Sequence, residues 1–363
     1  MPCRPPREAK AGLATQEPND HIFMNIIVPM AGRGSRLRPH TLTVPKPLVP
    51  VAGKPIVERL VEDIVRTAHD GVDNICFVIG DFGEAVEKEL VAVAERLGAK
   101  GHIRHQNEPL GTAHAILCGQ DFLDGPVVVA FADTLFRADF TIDPEADGVL
   151  FCQRIEDPSA FGVVVTNDDG KITDYVEKPQ EWVGDLAMIG IYAFKDGGRL
   201  KGELQHLIDH NIIKGGEYQL PDALRNMTQD GLQFIPGEVS EWMDCGNKRV
   251  TVDTNTRILQ ILEEEGRLDA VPASAKVTDS VILQPCHIGE GVVLERAVVG
   301  PNVTLGAGTT VRDARVSNAL VAGDSLLEHC VVDGAMVGAH AAWHGTPDDA
   351  SIGDYSTLGN PRG

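Results

Sequence analysis

An aliphatic period of six residues in the last quarter of the chain restricts its fold more than any other sequence feature. With one slip of a single residue, the period runs through Ile282, Ile288, Leu294, Val299, Leu305 and Val311. Glycine directly follows the aliphatic residue in several hexads, as at Ile288-Gly289 and Leu305-Gly306. This pattern is typical of hexapeptide repeats, in which each hexad forms one side of a triangular coil. We therefore predict a left-handed parallel β-helix of roughly four or five coils over residues 271–363.

Residues 24–247, upstream of the repeats, alternate between strand-like and helix-like patterns. Apolar runs at 26–28, 74–79 and 126–132 predict buried strands, and apolar residues at helical spacing in 56–68 and 83–97 predict helices between them. This alternation is typical of an α/β fold, here a Rossmann-like, mostly parallel sheet with helices on both faces. We further expect a β-hairpin over 161–176 and a linker over 248–270, most of it an amphipathic helix.

The charge balance of the chain excludes several classes of partner. Asp and Glu total 53 against 32 Lys and Arg, giving a net charge of −21. A chain this acidic is a poor candidate for binding nucleic acid or an acidic membrane. The negative charge is an ordinary means of keeping a protein soluble, and a halophilic source is the alternative interpretation. Basic residues are few, so the cluster of Arg33, Arg36 and Arg38 indicates a local site for an anionic substrate.

Cysteine usage and the N-terminal residues bear on the cellular compartment. The seven cysteines form no CxxC pair, and no apolar run approaches the length of a membrane span, so we expect a cytoplasmic protein without a membrane partner. Residues 1–23 lack the apolar core of a secretory signal. Met24 directly precedes the first strand, so we expect translation to start there, with residues 1–23 otherwise forming a disordered extension.

The loop after the first strand combines glycine with positive charge. Gly32 and Gly34 flank an arginine, Arg36 follows Ser35, and Lys46 comes after a segment punctuated by proline. Glycines let backbone N–H groups turn toward an anion, to which arginine and lysine add full charges. The spacing fits neither the dinucleotide fingerprint nor the P-loop. The combination is what a nucleoside triphosphate requires.

Two later loops follow strands at the same predicted edge of the sheet, where ligands of such folds bind. Gln106 begins one of them, and Gly111-Thr112 in the same loop is by itself compatible with ordinary helix initiation. Asp133 follows the most apolar strand, where a carboxylate is costly to bury unless it is paired or binds a metal. The residues alone leave metal binding and turn capping by Asp133 both open.

Several strings of residues together resemble the signature of the sugar-1-phosphate nucleotidylyltransferases. They are AGRGSRLRP at 31–39, PKPL at 45–48, GKP at 53–55, PLGTA at 109–113, AD at 132–133, FGV at 161–163, EKP at 177–179 and WMDCG at 242–246. The resemblance covers nearly the whole chain from Met24 onward. Asn247 stands where the family usually has threonine, a departure that touches no catalytic group.

The resemblance implies transfer of a nucleotidyl group from a nucleoside triphosphate to a sugar 1-phosphate, with Mg²⁺ as cofactor. The residues that it implies are Arg36, Lys46 and Asp133 for catalysis; Ala31, Gly32, Gly34, Ser35, Gln106 and Gly111 for the nucleotide; Gly162, Glu177, Lys178 and Gly190 for the sugar phosphate; and Asp133 and Asp244 for the metal. Charge logic supports these roles, because two reacting phosphates repel each other unless cations lie between them.

The substrates and the role of the β-helix stay open at this stage. Glucose 1-phosphate with dTTP or UTP is favoured, and mannose-1-phosphate guanylyl transfer is the alternative, because those enzymes share the PKPL loop and a β-helix. A bifunctional uridylyl/acyltransferase is disfavoured by the short β-helix, although four histidines are candidates by type: His287, His329, His340 and His344. A non-catalytic regulatory subunit is disfavoured because the charged motif residues are all present. We expect a homo-oligomer.

Overall fold

The computed structural model describes residues 24–32, 34–68, 71–138, 146–345 and 351–358. The predicted extension over residues 1–23 lies outside the described residues, as does Arg33. None of the described helices is long and apolar enough to span a membrane.

Strands and helices alternate through the first two thirds of the chain. The strands are β1 (Met24–Pro29), β2 (Pro50–Val51), β3 (Lys54–Pro55), β4 (Val72–Ile79), β5 (Lys100–His105), β6 (Val127–Ala130), β7 (Thr134–Arg137), β8 (Gly148–Arg154), β9 (Gly162–Thr166), β10 (Ile172–Glu177), β11 (Leu186–Phe194), β12 (Phe234–Glu238) and β13 (Glu241–Asp244). The helices are α1 (Ile56–Thr67), α2 (Glu84–Arg96), α3 (Thr112–Cys118), α4 (Gly197–Asp209), α5 (Leu220–Gln229) and α6 (Lys248–Glu264).

The described residues form one nine-stranded mixed sheet in this region. Its strand order is β10-β9-β11-β6-β1-β4-β5, with β8 paired to β11 and β12 paired to β8. Strands β6, β1, β4 and β5 are mutually parallel, as the strand–helix alternation predicts. Strand β11 runs antiparallel to β6 and begins the other half, which includes the predicted hairpin β9–β10. The Rossmann-like prediction is thus confirmed, with an extension that is antiparallel except for the parallel pairing of β12 with β8.

Helices cover both faces of this sheet, as predicted. Ile26 and Val28 of β1 point to the face that packs against α1, α2 and α6, whereas Ile27 points to the face covered by α3, α4 and α5. All three side chains have no exposed surface. Because neighbouring residues of a strand face opposite sides, a strand covered on both sides reads as one continuous apolar run.

The described part of the repeat region folds as a parallel β-helix with three sheets. Its strands are β14 (Lys276–Thr278), β15 (Val281–Ile282), β16 (Cys286–Ile288), β17 (Val293–Glu295), β18 (Val298–Val299), β19 (Val303–Leu305), β20 (Thr310–Arg312), β21 (Arg315–Ser317), β22 (Ala319–Val321), β23 (Leu326–Glu328), β24 (Val331–Asp333), β25 (Met336–Val337), β26 (Ala342–His344), β27 (Ser351–Ile352) and β28 (Thr357–Leu358). The periodic residues Leu294, Val299 and Leu305 fill its interior with no exposed surface.

The predicted linker is an integral packed element. Helix α6 buries Ile258, Leu259 and Ile261, and it lies between the nine-stranded sheet and the β-helix strands β19 and β22. Leu320 and Met336 of the β-helix belong to the same apolar cluster as the α6 face of the large sheet. One continuous core therefore joins the two parts of the molecule.

Candidate active site

A cleft of about 850 Å³ opens beyond the carboxyl ends of β1, β4, β5 and β6. This is the edge where α/β sheets bind their ligands. Its walls contain the following residues that the sequence singled out: Ala31, Gly32, Gly34, Ser35, Arg36, Lys46, Gln106, Gly111 and Asp133. The loops after three parallel strands thus meet at one site, as the strand–helix alternation predicts.

The two glycines of the first loop have different surroundings. Gly34 has a φ of 66°, and a Cβ there would lie 2.5 Å from Cβ of Lys46, so a side chain at this position would displace the lysine. Its carbonyl accepts a hydrogen bond from Oγ1 of Thr41 at 2.8 Å. By contrast, apart from the neighbours of Gly32 in the chain, no atom of the described residues lies within 4 Å of the Cβ position of Gly32. Gly34 therefore packs against Lys46, whereas Gly32 leaves open space.

Lys46 and Asp133 form the charged floor of the cleft. Nζ of Lys46 lies 3.2 Å from Oδ2 of Asp133, and the lysine side chain is only 8% exposed while the aspartate is 49% exposed. A lysine so well buried keeps its charge at acceptable cost only beside a carboxylate. The aspartate is left with surface that faces the cleft.

Asp244 lies in the same electrostatic neighbourhood. Strand β13 pairs antiparallel with β7, which sets Asp244 opposite Thr134, and the backbone N–H of Cys245 donates to the carbonyl of Asp133 at 3.1 Å. Burial raises the pKa of the Asp244 carboxyl, and the Asp133 carboxylate raises it further, while Lys46 and Arg36 act in the opposite direction. Four charged groups predicted from distant parts of the sequence are thus close together.

Asp133 and Asp244 fit the ligand chemistry of a divalent cation. Hard cations take oxygen ligands, and a carboxylate whose ionisation is opposed by a second carboxylate, as that of Asp244 is by Asp133, is stabilised by a cation between the two. No group of three or more metal-binding side chains occurs among the described residues. The donor set therefore suits a cation that completes its coordination with water or phosphate oxygens, as Mg²⁺ does.

Another part of the cleft lining contains Gln106 and Gly111. Nε2 of Gln106 lies 3.1 Å from the carbonyl oxygen of Gly111 and 3.1 Å from Nδ1 of His114. Gly111 has a φ of 110°, and a Cβ there would collide with the carbonyl oxygen of Tyr218. The loop before α5 therefore packs tightly against the start of α3, which fixes the shape of this wall.

The predicted sugar-phosphate residues adjoin the cleft, but they are not among the described residues that line it. Gly162 pairs with Glu177 across the β9–β10 hairpin, and Nζ of Lys178 lies 3.8 Å from Oε1 of Glu177. The carbonyl of Gly190, at an irregularity of β11, accepts a hydrogen bond from Phe131 at 2.9 Å.

One ring contact and one shared electrostatic neighbour link this hairpin to the carboxylate centre. Burial raises the pKa of the Tyr192 phenol, and the carboxylates of Glu177 and Asp133 raise it further. The ring of Phe161, next to Gly162, meets that of Trp242 edge-on at 4.9 Å. A ligand in the cleft could therefore extend past Asp133 toward Glu177.

Sequence reasoning missed several residues of the cleft wall. Asp81 follows Gly80 at the end of β4, and the rule that pointed to the other loops applies equally to this one. Glu217 also lines the cleft and comes from the loop before α5. No local pattern marks Glu217, because only the packing of that loop against Gly111 brings it to the site.

The histidines considered for acyl transfer are spread along the β-helix. Nδ1 of His287 lies 3.4 Å from Asp269, and Nδ1 of His329 and of His340 lie 4.0 and 3.9 Å from Asp313 and Asp324. Nδ1 of His344 lies 3.1 Å from Glu328. Each of these four histidines therefore lies near a different acidic side chain.

Fold and site together define a class of protein. A parallel sheet edge with a glycine loop, buried positive charge and paired carboxylates is the architecture of an α/β enzyme that handles phosphate groups. The β-helix narrows this class further, because the sheet domain and the β-helix pack together through one shared apolar core.

Comparisons with known proteins agree with this class. A family model described as nucleotidyl transferase matches residues 25–261. The chain is 29% identical to a glucose-1-phosphate thymidylyltransferase of Streptomyces griseus, over 90% of this chain and 95% of that protein. It is 30% identical to the mannose-1-phosphate guanylyltransferase catalytic subunit beta of Danio rerio, over 77% of this chain and 74% of that protein. The chain therefore belongs to the nucleotidyl transferase family, as a sugar-1-phosphate nucleotidyltransferase.

A solved structure supports the fold independently. The crystal structure of a UDP-glucose pyrophosphorylase complexed with UDP-glucose matches this chain with a TM-score of 0.54 and 22% identity. The match covers 66% of this chain and 100% of that one. At this level of identity, the likeness establishes a shared fold over the part of the chain that it covers.

Proposed function

We propose that the protein transfers a nucleotidyl group from dTTP or UTP to glucose 1-phosphate, giving a nucleotide sugar and pyrophosphate. The observation that carries the proposal is the meeting of Arg36, Lys46 and Asp133 in one cleft, whose volume of about 850 Å³ suits a nucleotide. The S. griseus relative is named for thymidylyl transfer to this sugar phosphate, which favours these substrates.

The reaction requires positioning and charge neutralisation more than a protein nucleophile. A phosphate oxygen of the sugar 1-phosphate, already anionic at neutral pH, bonds to the α-phosphorus, and the α–β bridging bond breaks with its electron pair leaving on pyrophosphate. Backbone N–H groups of Gly32, Gly34 and Ser35, with Arg36, would hold the leaving phosphates. Lys46 would lie between the two reacting phosphates and reduce their repulsion, an effect strengthened by its buried position.

Asp133 and Asp244 would hold the divalent cation. When bound, Mg²⁺ would polarise the α-phosphate and neutralise part of its charge. In the protein alone, Asp133 pairs with Lys46 at 3.2 Å, so binding of the substrates would exchange this contact for contacts to phosphate. Glu177 and Lys178 would hold the sugar hydroxyls and the sugar phosphate, with the backbone of Gly162 and Gly190 beside them.

The orientation of Gln106 supports a base that carries an imide N–H. The carbonyl of Gly111 only accepts hydrogen bonds, so the Gln106 amide turns its NH₂ toward it and toward His114. The Oε1 atom is then the group left for a ligand, and it accepts from N3–H of uracil or thymine. Cytosine and adenine present a lone pair at the corresponding ring nitrogen.

Guanine also presents a ring N–H, so this argument does not separate it from the pyrimidine imides. The D. rerio relative, named for mannose-1-phosphate guanylyl transfer, makes that reaction the second candidate. The β-helix and the PKPL loop are compatible with both candidate reactions and do not separate them.

The deciding experiment is pyrophosphate release from a matrix of nucleoside triphosphates and sugar 1-phosphates in the presence of Mg²⁺. We expect turnover with dTTP or UTP and glucose 1-phosphate. Turnover confined to GTP and mannose 1-phosphate would replace the favoured substrates by the second candidate. Folded protein that releases no pyrophosphate with any pair would contradict the proposal.

The metal site gives a prediction with a readout besides activity. Asp244→Asn removes a carboxylate. Burial of this group and the nearby charge of Asp133 both oppose its ionisation, so without metal the variant should melt at or above the wild-type temperature. With Mg²⁺ and dTTP, the wild type should gain thermal stability that the variant does not gain. Turnover of the variant should fall by about 100-fold or more.

Asp253→Asn is the matched control, because Asp253 lies on the exposed surface of α6 with its side chain 69% exposed. It should keep both turnover and the stabilisation by Mg²⁺ and dTTP. An Asp244→Asn protein that is stabilised by Mg²⁺ as strongly as the wild type would remove Asp244 from the metal site.

A further inference from the structure

The segment from Pro39 to Pro55, here called the lysine segment, carries Lys46 and connects the glycine loop to α1. Both of its ends contact the β-helix. The geometry points to the β-helix as a positioning element for Lys46, with Thr43, Ser351 and Asp354 as positioning residues. This inference rests on the proposed function, since it concerns the reaction in which Lys46 would act.

The first end of the lysine segment is held by the last described coil of the β-helix. Nε2 of His40 lies 2.8 Å from Oγ of Ser351, and Oγ1 of Thr43 donates a hydrogen bond to Oδ2 of Asp354. Pro39 packs so closely on Gly353 that a Cβ there would lie 3.0 Å from the proline ring. These contacts join residues more than 300 positions apart in the sequence.

Thr41 carries this restraint into the active site. It lies between His40 and Thr43, and its Oγ1 donates to the carbonyl of Gly34 at 2.8 Å. Gly34 in turn packs against Cβ of Lys46. A shift of the 39–43 stretch would therefore move both the glycine loop and the surface on which the lysine side chain rests.

The second end is held by an earlier part of the β-helix through α6. Oδ1 of Asn255 accepts hydrogen bonds from the backbone N–H of Ala52 at 2.9 Å and from Oγ1 of Thr304 at 2.7 Å. Asn255 has no exposed surface and Thr304 is 1% exposed. His287 of the β-helix also packs against Gly53, at the turn between β2 and β3.

Lys46 thus lies between two anchor points, both of which depend on the β-helix. A cation that must sit between two reacting phosphates loses most of its effect when it is displaced, and an error of about 1 Å can cost about 100-fold in rate. The buried lysine cannot compensate by moving freely, because Gly34 and Asp133 confine its side chain. The β-helix would therefore support the chemical step as well as stability.

The test uses exposed positions, so that the fold is preserved. The double variant Thr43→Val/Ser351→Ala removes one hydroxyl from each side of the first anchor. The single variant Thr43→Ser keeps a hydroxyl at position 43. Ser317→Ala is the control, because it removes a hydroxyl that donates to Asp333 at 2.8 Å in a sheet of the β-helix other than the one that packs against α6. The measurements are kcat, KM for dTTP and melting temperature.

We expect the double variant to lose about tenfold in kcat, with less than about threefold change in KM. Its melting temperature should fall only slightly, because removing the Ser351 hydroxyl takes one hydrogen-bond partner from the buried His40 ring. Thr43→Ser and Ser317→Ala should match the wild type, while Thr43→Val alone should fall between. A kcat within about twofold of the wild type in the double variant, or an equal loss in Ser317→Ala, would overturn the inference. A lower melting temperature with unchanged kcat would also overturn it, since the contacts would then only stabilise.

Hydrogen–deuterium exchange separates this inference from the proposed function. Amides of residues 39–48 should exchange faster in the double variant than in the wild type and in Ser317→Ala, whatever the substrate. Equal exchange in all three proteins would refute the restraint itself. Faster exchange together with a wild type that turns over no substrate pair would refute the proposed function and the positioning role, and leave only a structural contact.

Discussion

Gly32 and Gly34 show how two residues of the same type in one loop serve different needs. Gly34→Ala would place a side chain at positive φ and against Lys46, so we expect it to cost about 1–3 kcal/mol of unfolding free energy and most of the turnover. Gly32→Ala meets no atom of the described residues within 4 Å, so its stability should stay within about 0.5 kcal/mol of the wild type. Urea unfolding measures both.

The kinetic part of the same comparison tests whether phosphates approach the backbone at Gly32. If they do, Gly32→Ala should raise KM for the nucleoside triphosphate by about tenfold while the stability is preserved. An unchanged KM would show that the triphosphate lies elsewhere in the cleft. A Gly34→Ala protein as stable and active as the wild type would contradict the packing described for Lys46.

His114 gives a second prediction at the level of single residues. Its Nδ1 accepts from the NH₂ group of Gln106 and so helps to leave Oε1 of that amide for the base. His114→Asn keeps an acceptor near the Nδ1 position, whereas His114→Leu removes it. We expect the ratio of kcat/KM for UTP to kcat/KM for CTP to fall about tenfold in His114→Leu and to keep its wild-type value in His114→Asn.

Competition between UTP and CTP, measured as the ratio of kcat/KM values, checks this prediction. The ratio is the informative quantity, because a general loss of packing would lower both values together. Equal ratios in the wild type and His114→Leu would show that Gly111 alone orients Gln106.

At the scale of elements, the loop that carries His40 links stability to pH. The ring is 5% exposed, and burial lowers the pKa of His40 to about 4 despite the nearby Asp354, while Lys248 acts in the same direction as burial. Between pH 6.5 and 4 the unfolded chain binds a proton at this site that the folded chain does not. Folding stability therefore falls as the pH drops through this window, by at most about 3 kcal/mol.

His40→Gln isolates that contribution, because glutamine offers polar atoms near Nε2 without titrating in this range. Unfolding free energies of the wild type and the variant, measured from pH 7 to 4, should differ in slope, with the wild type losing more. Parallel curves would show that the imidazole protonates in the folded protein as easily as in the unfolded chain.

The elements that the sequence predicted are those with a clear period. Helix α1, strand β4, the β9–β10 hairpin and the six-residue repeats were all predicted near their observed bounds. Strand β12 was missed because Pro236 and Gly237 argue against a strand. Proline and glycine are tolerated in this strand because it lies at the edge of the sheet, where it pairs only with β8 among the described strands. Strands β7 and β13 were missed because their patterns are short and their pairing is distant in sequence.

That missed pairing is the one that sets Asp244 near Asp133. The sequence supplied both carboxylates through their motifs, but their proximity depends on a ladder between residues about 110 positions apart. The same holds for Lys46, whose ion pair with Asp133 joins residues 87 positions apart. Motifs therefore predicted the members of the site, while non-local strand pairing determined their geometry.

At the scale of the whole molecule, the two architectures share one core. Strand β22 of the β-helix packs against α6, and Leu320 and Met336 lie in the apolar cluster that includes the α6 face of the catalytic sheet. Asn255 adds hydrogen bonds to both sides of this junction. Coupling of this kind favours unfolding of the two parts together, although proteins of this size often unfold in steps.

Leu320→Ala tests the coupling directly. Leu320 is 1% exposed, and its truncation should cost about 2–5 kcal/mol, taken from contacts between the two parts. Calorimetry should show one transition for the wild type and two for Leu320→Ala. Leu294→Ala, a fully buried position inside the β-helix, should lower the transition temperature without dividing it, because the junction stays intact. Two transitions in the wild type would mean that the shared core does not unite the molecule energetically, and a single transition in Leu320→Ala would mean that the coupling does not depend on Leu320.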